Sequence, residues 1–174
     1  MIWFWIFFAV VLAFGFVVFR GSPYVPSQKR YIKQAFTELY RVTDKDVLLD
    51  IGSGDGIVLR QASRLGARAV GWEINPILVA ISRMISRKDK KIRVDLVDFW
   101  SAKLPDDTTI IYVFSVVRDI SKMTDKLQVE VNRLGCSVKL ISYAGDFSRF
   151  RLIKKLEAYR LYEVSPLQSD KAQV

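Results

Sequence analysis

The sequence contains no histidine, and this absence excludes several kinds of active site. Without an imidazole the chain has no histidine general base, no serine or cysteine triad of the usual kind and no histidine-ligated metal. Cys136 is the only cysteine, so the chain can form neither an internal disulfide nor a thiolate zinc cluster. A free cysteine usually behaves as a small buried apolar residue, and we expect this of Cys136. No metal site is expected.

What the chain does have is apolar residues and positive charge. Of its 174 residues 51% are hydrophobic, which fits one core-bearing domain with one appendage. A formal net charge of +9 suits either nucleic acid or an anionic membrane surface. Residues 83–93 are rich in Lys and Arg but carry no interleaved aromatic residue for base stacking. That composition favours a solvated helix end or a membrane-facing patch, and we expect no nucleic acid partner.

The N-terminal segment is the longest apolar run. Residues 2–19, IWFWIFFAVVLAFGFVVF, contain no charge and reach the length that crosses a bilayer. A cleaved signal peptide is the alternative, but no basic segment precedes the run and no small-x-small site follows it. We therefore predict an uncleaved transmembrane anchor over residues 1–20 and a short, stiff linker over 21–26. Basic residues follow the span and none precedes it, so the positive-inside rule predicts a cytoplasmic body.

From residue 46 onward, strand-like and helix-like segments alternate, which is typical of a parallel sheet with helices on both faces. The expected strands are DVLLDI, RAVGWE, the first part of IRVDLVDFW, TTIIYVFSV and SVKLISY. The third of these should end in a loop at Asp98, Phe99 and Trp100. The segment RFRLIKKLEAYRLYEV then predicts a terminal antiparallel hairpin, although its first run is also compatible with a helix. The expected fold class is α/β, a Rossmann-like, doubly wound, mostly parallel sheet over residues 27–166, followed by a polar tail at 167–174.

Apolar spacing and capping residues predict the helices. Ser27 can cap a first helix, while Asn75 and Pro76 suit the N-cap and first position of another. The buried stripe of that second helix should consist of Ile77, Ile81, Met84 and Ile85. A later helix, closed by Gly135, should bury Ile120, Met123, Leu127, Val131 and Leu134.

The segment VLLDIGSGDGIVL, residues 47–59, predicts a strand, a tight loop and a helix start. Gly52, Gly54 and Gly56 recur at every second position, so the backbone there can approach a ligand closely. Ile57 stands where a dinucleotide fingerprint has its third glycine, and Asp50 precedes the first glycine. A carboxylate there repels a pyrophosphate but can receive the ammonium of an amino-acid-like cofactor, which favours S-adenosylmethionine over NAD.

Two further acids stand at predicted strand ends. Glu73 lies 23 positions after Asp50, where a carboxylate can accept hydrogen bonds from both hydroxyls of a ribose. Asp98 ends the third strand, where it can accept from an adenine amino group while Phe99 or Trp100 covers the ring. Taken alone, either acid is equally well explained as an exposed loop residue. Their joint spacing behind the glycine loop favours a nucleoside site at the carboxyl edge of the sheet.

The motifs LLDIGSGDG, VGWEINP and VDFW resemble those of class I S-adenosylmethionine-dependent methyltransferases. The order of a membrane segment, PYVPS, DIGSGDG, GWEINP, DFW and VFSV is similar to a family of small membrane-associated protein-lysine methyltransferases. Its mitochondrial members modify the adenine nucleotide translocase and the c subunit of ATP synthase. Where that family has V-F-G-V-P in its fourth-strand motif, this chain has Ser115 and Val117. The absence of N-P-P-Y or D-P-P-Y at this strand end argues against an amino-group methylase of DNA bases.

The resemblance implies transfer of a methyl group from S-adenosylmethionine to a lysine of a membrane or membrane-proximal protein, by in-line attack of the lysine nitrogen. The implied cofactor site consists of Asp50, Gly52, Ser53, Gly54, Gly56, Glu73, Ile74, Asp98, Phe99 and Phe114. The implied substrate or lid residues are Tyr24, Ser27, Trp100 and Ser115. Asp119 is a candidate for the base that takes the lysine proton, and it also suits the N-cap of the following helix.

Two other functions remain open at this point. The methyl acceptor could be a lipid or another small molecule in place of a protein. Alternatively, the chain could be a non-catalytic module that retains the nucleotide-binding fold after losing the fourth-strand motif.

Overall fold

The computed structural model describes residues 1–5, 7–8, 29–114 and 120–167. Most of the predicted membrane helix lies outside these ranges, as do the predicted linker and nearly all of the predicted tail. The candidate site residues Tyr24, Ser27, Ser115 and Asp119 also lie outside the described residues. Within the described ranges, no helix is both long enough and apolar enough to cross a bilayer.

Helices and strands alternate along the described chain, as the sequence predicts. The strands are β1 Val47–Ile51, β2 Arg68–Glu73, β3 Ile92–Leu96, β4 Ile110–Phe114, β5 Val138–Tyr143, β6 Arg151–Leu156 and β7 Tyr159–Val164. The helices are α1 Lys29–Gln34, which continues into a π-helical turn at Ala35–Leu39, α2 Ile57–Arg64, α3 Pro76–Ser86 and α4 Ile120–Leu134. The π-helical turn is a local irregularity that apolar spacing does not reveal.

The seven strands of the described ranges form one sheet in the order β3-β2-β1-β4-β5-β7-β6. The first five pair in parallel, and β7 pairs antiparallel with both β5 and β6. The predicted mostly parallel, Rossmann-like sheet and its terminal hairpin are therefore confirmed, and the first run of the hairpin is a strand. The strand order reverses between β1 and β4, so the carboxyl ends of these strands flank a switch-point crevice.

Each face of the sheet has its own hydrophobic core. One face is covered by α1, α2 and α3, with Leu59 and Val79 among the buried side chains. The other is covered by α4, whose Met123, Leu127 and Val131 are buried as predicted. The carboxyl edge, with the loops that follow β1 and β2, is thus held between two packed layers.

The predicted buried stripe of α3 is wrong. Asn75 does cap this helix, since its side-chain oxygen accepts from the Ile77 N–H at 3.0 Å. However, the residues that α3 buries are Val79, Ser82 and Ser86. The predicted stripe faces outward, with Ile77 46% exposed, Met84 61% and Ile85 50%, and with Ile81 only partly buried. Ser82 lies so close to Gly56 of the glycine loop that a larger side chain would not fit at this inward position.

The expectation of a buried thiol is also wrong, because Cys136 is exposed. It follows Gly135, whose φ of +70° turns the chain away from the end of α4. The turn places Cys136 at the surface before β5 begins, against the usual tendency of free cysteine to be buried.

The buried Tyr162 of β7 holds the loop between β5 and β6 against the hairpin through hydrogen bonds. The Tyr162 hydroxyl donates to Asp146 Oδ1 at 2.9 Å and accepts from the Phe147 N–H at 3.1 Å. The variant Tyr162→Phe leaves that buried N–H without its acceptor, so we expect the free energy of unfolding to fall by about 1–3 kcal/mol in urea unfolding. The control Tyr159→Phe removes a hydroxyl that lies 3.4 Å from the Tyr112 hydroxyl and should cost less. Equal losses in the two variants would contradict this account.

Candidate functional site

The glycine loop between β1 and α2 folds back against the end of β2. The N–H groups of Gly52 and Ser53 donate to the Trp72 carbonyl at 2.8 and 3.0 Å. Gly52, Gly54 and Gly56 have φ angles of +79°, +54° and +81°. Residues with a Cβ enter this region only at a cost in free energy, so the backbone path itself requires glycine at all three positions.

The space around these glycines differs. A Cβ on Gly56 would collide with the Ser82 hydroxyl of α3, whereas a Cβ on Gly52 would meet no described atom within 4 Å. Gly56 therefore permits tight packing between the loop and α3. Gly52 leaves open space beside the loop, which a Cβ would fill and a ligand can use.

Gly71 is a further site residue, which lies within the motif VGWEINP but has no role assigned to it by the sequence analysis. It lies inside β2 and pairs with Asp50 of β1. A Cβ there would lie 2.6 Å from both Leu59 Cδ1 and Ser53 Oγ, so its absence allows the loop and α2 to lie directly on the strand. The signal that points to such a role is a glycine inside an otherwise regular strand pattern.

The carboxylate of Glu73, at the end of β2, holds the loop in place. Its Oε2 accepts from the Gly54 N–H at 2.9 Å and its Oε1 accepts from the Asn75 N–H at 2.8 Å. The side chain is buried, and Ile74 beside it is partly buried. Each carboxylate oxygen can accept a second hydrogen bond, so both remain able to bind ligand hydroxyls. The role of Glu73 in binding a ribose stays a prediction.

Asp50 lies near the end of β1 and is 2% exposed. Burial raises the pKa of its carboxyl well above the usual value, and the negative charges of Glu73 and Asp55 raise it further. Asp55 itself is paired with Arg60 at 3.2 Å. A cation near Asp50 would favour its ionised form, so this buried acid is suited to receive an ammonium group.

Ser53 adds a buried polar atom to the site. Its hydroxyl oxygen is buried and has no hydrogen-bond partner among the described residues. A buried hydroxyl without a partner costs free energy, which a polar ligand in the loop can recover. The open space at Gly52, the Ser53 hydroxyl and the two acids together fit a small polar cofactor with an ammonium group and vicinal hydroxyls.

The three residues after β3 that were predicted to bind adenine, Asp98, Phe99 and Trp100, lie in different environments in the structure. Asp98 is exposed, and its Oδ1 accepts from the Trp100 N–H at 2.9 Å, which closes a turn. Phe99 is buried in the core on the α4 side of the sheet. The centre of the Trp100 ring lies 5.1 Å from the centre of the Phe99 ring and 4.1 Å from Lys122 Nζ. Trp100 is the more exposed of the two rings, and the roles predicted for all three residues remain untested.

An aromatic pair stands further along the same edge. Phe114 ends β4, and its ring is stacked on that of Tyr143 at the end of β5, with centres 5.0 Å apart and planes 19° apart. The Tyr143 ring also meets Tyr159 edge-on at 4.9 Å. No motif marks Tyr143, and only its position as an aromatic strand end at the edge of the crevice draws attention to it.

Comparisons with known proteins show what this chain resembles. No family model matches it. The ATP synthase c-subunit lysine N-methyltransferase of Caenorhabditis elegans is 30% identical over 128 residues, which are 68% of this chain and 67% of that protein. The protein of the same name from Xenopus laevis is 31% identical over 112 residues, 63% of this chain and 48% of that protein. The chain thus spans about half the length of the Xenopus and rat relatives that it matches.

Solved structures share the fold. An RNA methyltransferase from Salinibacter ruber, in complex with S-adenosyl-L-homocysteine, aligns with a TM-score of 0.67 and 25% identity over 84% of this chain and 98% of that chain. An S-adenosylmethionine-dependent methyltransferase from Aquifex aeolicus aligns with a TM-score of 0.55 and 14% identity over 80% of this chain and 100% of that chain, a likeness that shows the fold alone. The resemblance stated from the motifs is confirmed by these findings.

The glycine loop yields a testable prediction about Gly52 and Gly56. Gly52→Ala should cost about 1–2 kcal/mol of stability from left-handed strain and should also weaken cofactor binding by filling the open space. Gly56→Ala should cost more stability, because left-handed strain and the collision with Ser82 both contribute. Thermal unfolding and calorimetric titration with S-adenosylmethionine measure both effects. The double variant Gly56→Ala/Ser82→Ala should recover part of the stability, and a recovery of zero would show that the collision is not the cause.

Asp50 yields a further prediction, about the pH dependence of stability. Because its pKa is raised in the folded state, the folded protein holds a proton there that the unfolded chain has lost. This contribution to stability is complete below the ordinary carboxyl pKa of about 4 and is lost as the pH rises through the folded pKa. Asp50→Asn should therefore gain stability relative to the wild type as the pH rises, while losing affinity for the cofactor. If the unfolding free energies of the wild type and Asp50→Asn differed by the same amount at every pH, the raised pKa assigned to Asp50 would be contradicted.

Proposed function

Since the chain belongs to the family of the ATP synthase c-subunit lysine N-methyltransferases, we propose that it transfers a methyl group from S-adenosylmethionine to a lysine of a membrane protein. The observation that carries the proposal is the bond from the Gly54 N–H to the Glu73 carboxylate, in a loop with three left-handed glycines. This bond joins the ends of β1 and β2 beside the buried Asp50. The substrate that the relatives' names suggest is the c subunit of an ATP synthase.

Each part of the proposed cofactor has residues suited to it. Asp50 receives the ammonium group, directly or through water, and Glu73 accepts from the ribose hydroxyls. The Ser53 hydroxyl gains a polar partner, and Trp100 offers the exposed ring for the adenine. When bound, S-adenosylmethionine supplies a methyl group activated by the positive sulfonium.

The acceptor side is the region of the stacked rings at the ends of β4 and β5. Phe114 and Tyr143 form a flat apolar wall that excludes water beside the reacting nitrogen and packs against the stem of a lysine. The lysine must lose a proton before it attacks, and Asp119 remains the candidate acceptor for that proton. Tyr24, Ser27 and Ser115 remain candidates for guiding the substrate.

The membrane anchor belongs to the same proposal. The uncharged run at residues 2–19 and the basic residues that follow it support an anchor with the rest of the chain on the cytoplasmic side. Such an anchor raises the effective concentration of a membrane substrate without adding contacts.

The test is to incubate the full chain with membranes and S-adenosylmethionine labelled in its methyl group. We expect label in a membrane protein, on a lysine that mass spectrometry can locate. Label in extractable lipid would replace the protein acceptor with a lipid, and an absence of cofactor binding even at high concentration would show a non-catalytic module.

A matched pair of variants ties the activity to the site. Glu73→Gln removes the charge that accepts from two backbone N–H groups, so cofactor affinity should fall about 10- to 100-fold. Glu38→Gln makes the same change at an exposed position on the π-helical turn and should leave affinity unchanged. Equal affinities in the two variants would exclude Glu73 from the cofactor site.

A further inference from the structure

The outward face of α3 carries apolar side chains that the described residues leave exposed. Ile77, Ile81, Met84 and Ile85 follow at helical spacing, and three of the four are about half exposed or more. Leu96 on the neighbouring strand β3 is a further 55% exposed, and β3 is the edge strand of the sheet. Contiguous exposed apolar side chains usually mark an interaction surface. We call these five residues the α3 face.

A basic cleft adjoins the α3 face. Its volume is about 560 Å³, and it lies between α2 and the chain that follows α3. Its lining consists of Arg60, Arg64, Ile85, Ser86, Lys88, Asp89, Lys90 and Lys91. Ile85 therefore belongs to both surfaces, so the apolar face and the basic cleft are continuous.

The cleft has the chemistry of an anion site. Its single acid, Asp89, already accepts hydrogen bonds from Ser63 Oγ at 2.5 Å and from the Lys91 N–H at 3.0 Å. The hydroxyl oxygen of Ser86 is buried and has no hydrogen-bond partner among the described residues. Lys88 and Lys90 are exposed at the rim. A phosphate group in the cleft would meet several cations and a hydroxyl in need of a partner.

From these observations we infer that the α3 face and its basic cleft form a docking surface for a bilayer that contains anionic phospholipid. Apolar side chains beside Lys and Arg are the pattern of a helix that lies in the membrane interface. The apolar groups enter the acyl boundary, while the cations reach the headgroup phosphates. Free phosphate would account for the cleft but would leave Ile77 and Met84 in water. RNA would do the same and would find no aromatic residue on the α3 face for stacking.

The fold supports the same occupant. α1, the first described element after the apolar N-terminal run, covers the same side of the sheet as α2 and α3. The first described element after residues 2–19 therefore lies on the side of the sheet that carries the α3 face. The docking surface is independent of the proposed methyl transfer, and it can be tested without activity.

The experiment places a probe on the face and another away from it. In the full chain with Cys136→Ser, an environment-sensitive fluorophore is attached at Met84→Cys or, as the matched control, at Val129→Cys of α4. Val129 is 65% exposed and Met84 is 61% exposed, but α4 covers the opposite side of the sheet. Each protein is reconstituted into phosphatidylcholine vesicles with or without phosphatidylserine, and lipids that carry a spin-label quencher are then introduced.

We expect several-fold stronger quenching at position 84 than at position 129, in vesicles with phosphatidylserine and at low salt. The double charge reversal Lys88→Glu/Lys90→Glu should remove this difference, whereas Lys103→Glu/Lys155→Glu, with the same change in net charge, should retain it. Equal quenching at the two positions would overturn the inference. Shielding of position 84 without lipid would assign the face to a second copy or to the apolar N-terminal segment, and displacement by an RNA oligonucleotide would assign it to nucleic acid.

Discussion

The site depends on one buried carboxylate that joins two loops. Glu73 accepts one backbone N–H from the glycine loop after β1 and another from Asn75, which caps α3. A charged acceptor buried among backbone donors forms stronger bonds than a neutral one. The loop, the end of β2 and the start of α3 are therefore fixed relative to one another before any ligand is considered. The N-terminus of α3 also directs its positive dipole end at Glu73, through the Asn75 N–H that the carboxylate accepts.

Close contacts between small residues make this arrangement possible. Gly56 admits the Ser82 hydroxyl, and Gly71 admits Ser53 and Leu59. Interiors are close-packed, so a methyl group at either glycine would displace its neighbours. The same requirement explains why Ser82 is the residue of α3 that faces the loop, since a larger side chain would not fit beside Gly56.

This packing explains which features of the structure the sequence predicts and which it does not. Strands, helix ends and the buried stripe of α4 depend on local patterns, and they were predictable from the sequence alone. The orientation of α3 was not, because it depends on contacts with residues distant in sequence, such as the close approach of Gly56 to Ser82. Phe99 and Trp100 are adjacent, and only tertiary packing determines that Phe99 enters the core. The roles of Gly71 and Tyr143 depend on neighbours distant in sequence.

Two explanations can be distinguished for the basic residues near the end of α3: the helix dipole and binding to lipid. The C-terminus of a helix attracts cations through its dipole, which accounts for Arg83 and Arg87. That attraction fades within the last turn and does not extend to Lys90 and Lys91, which line the cleft. Nor does a dipole account for an exposed Met84 beside these cations. A surface that is both apolar and cationic matches the acyl region and the anionic headgroup region of a bilayer. This match favours lipid binding over a purely structural origin of the charge.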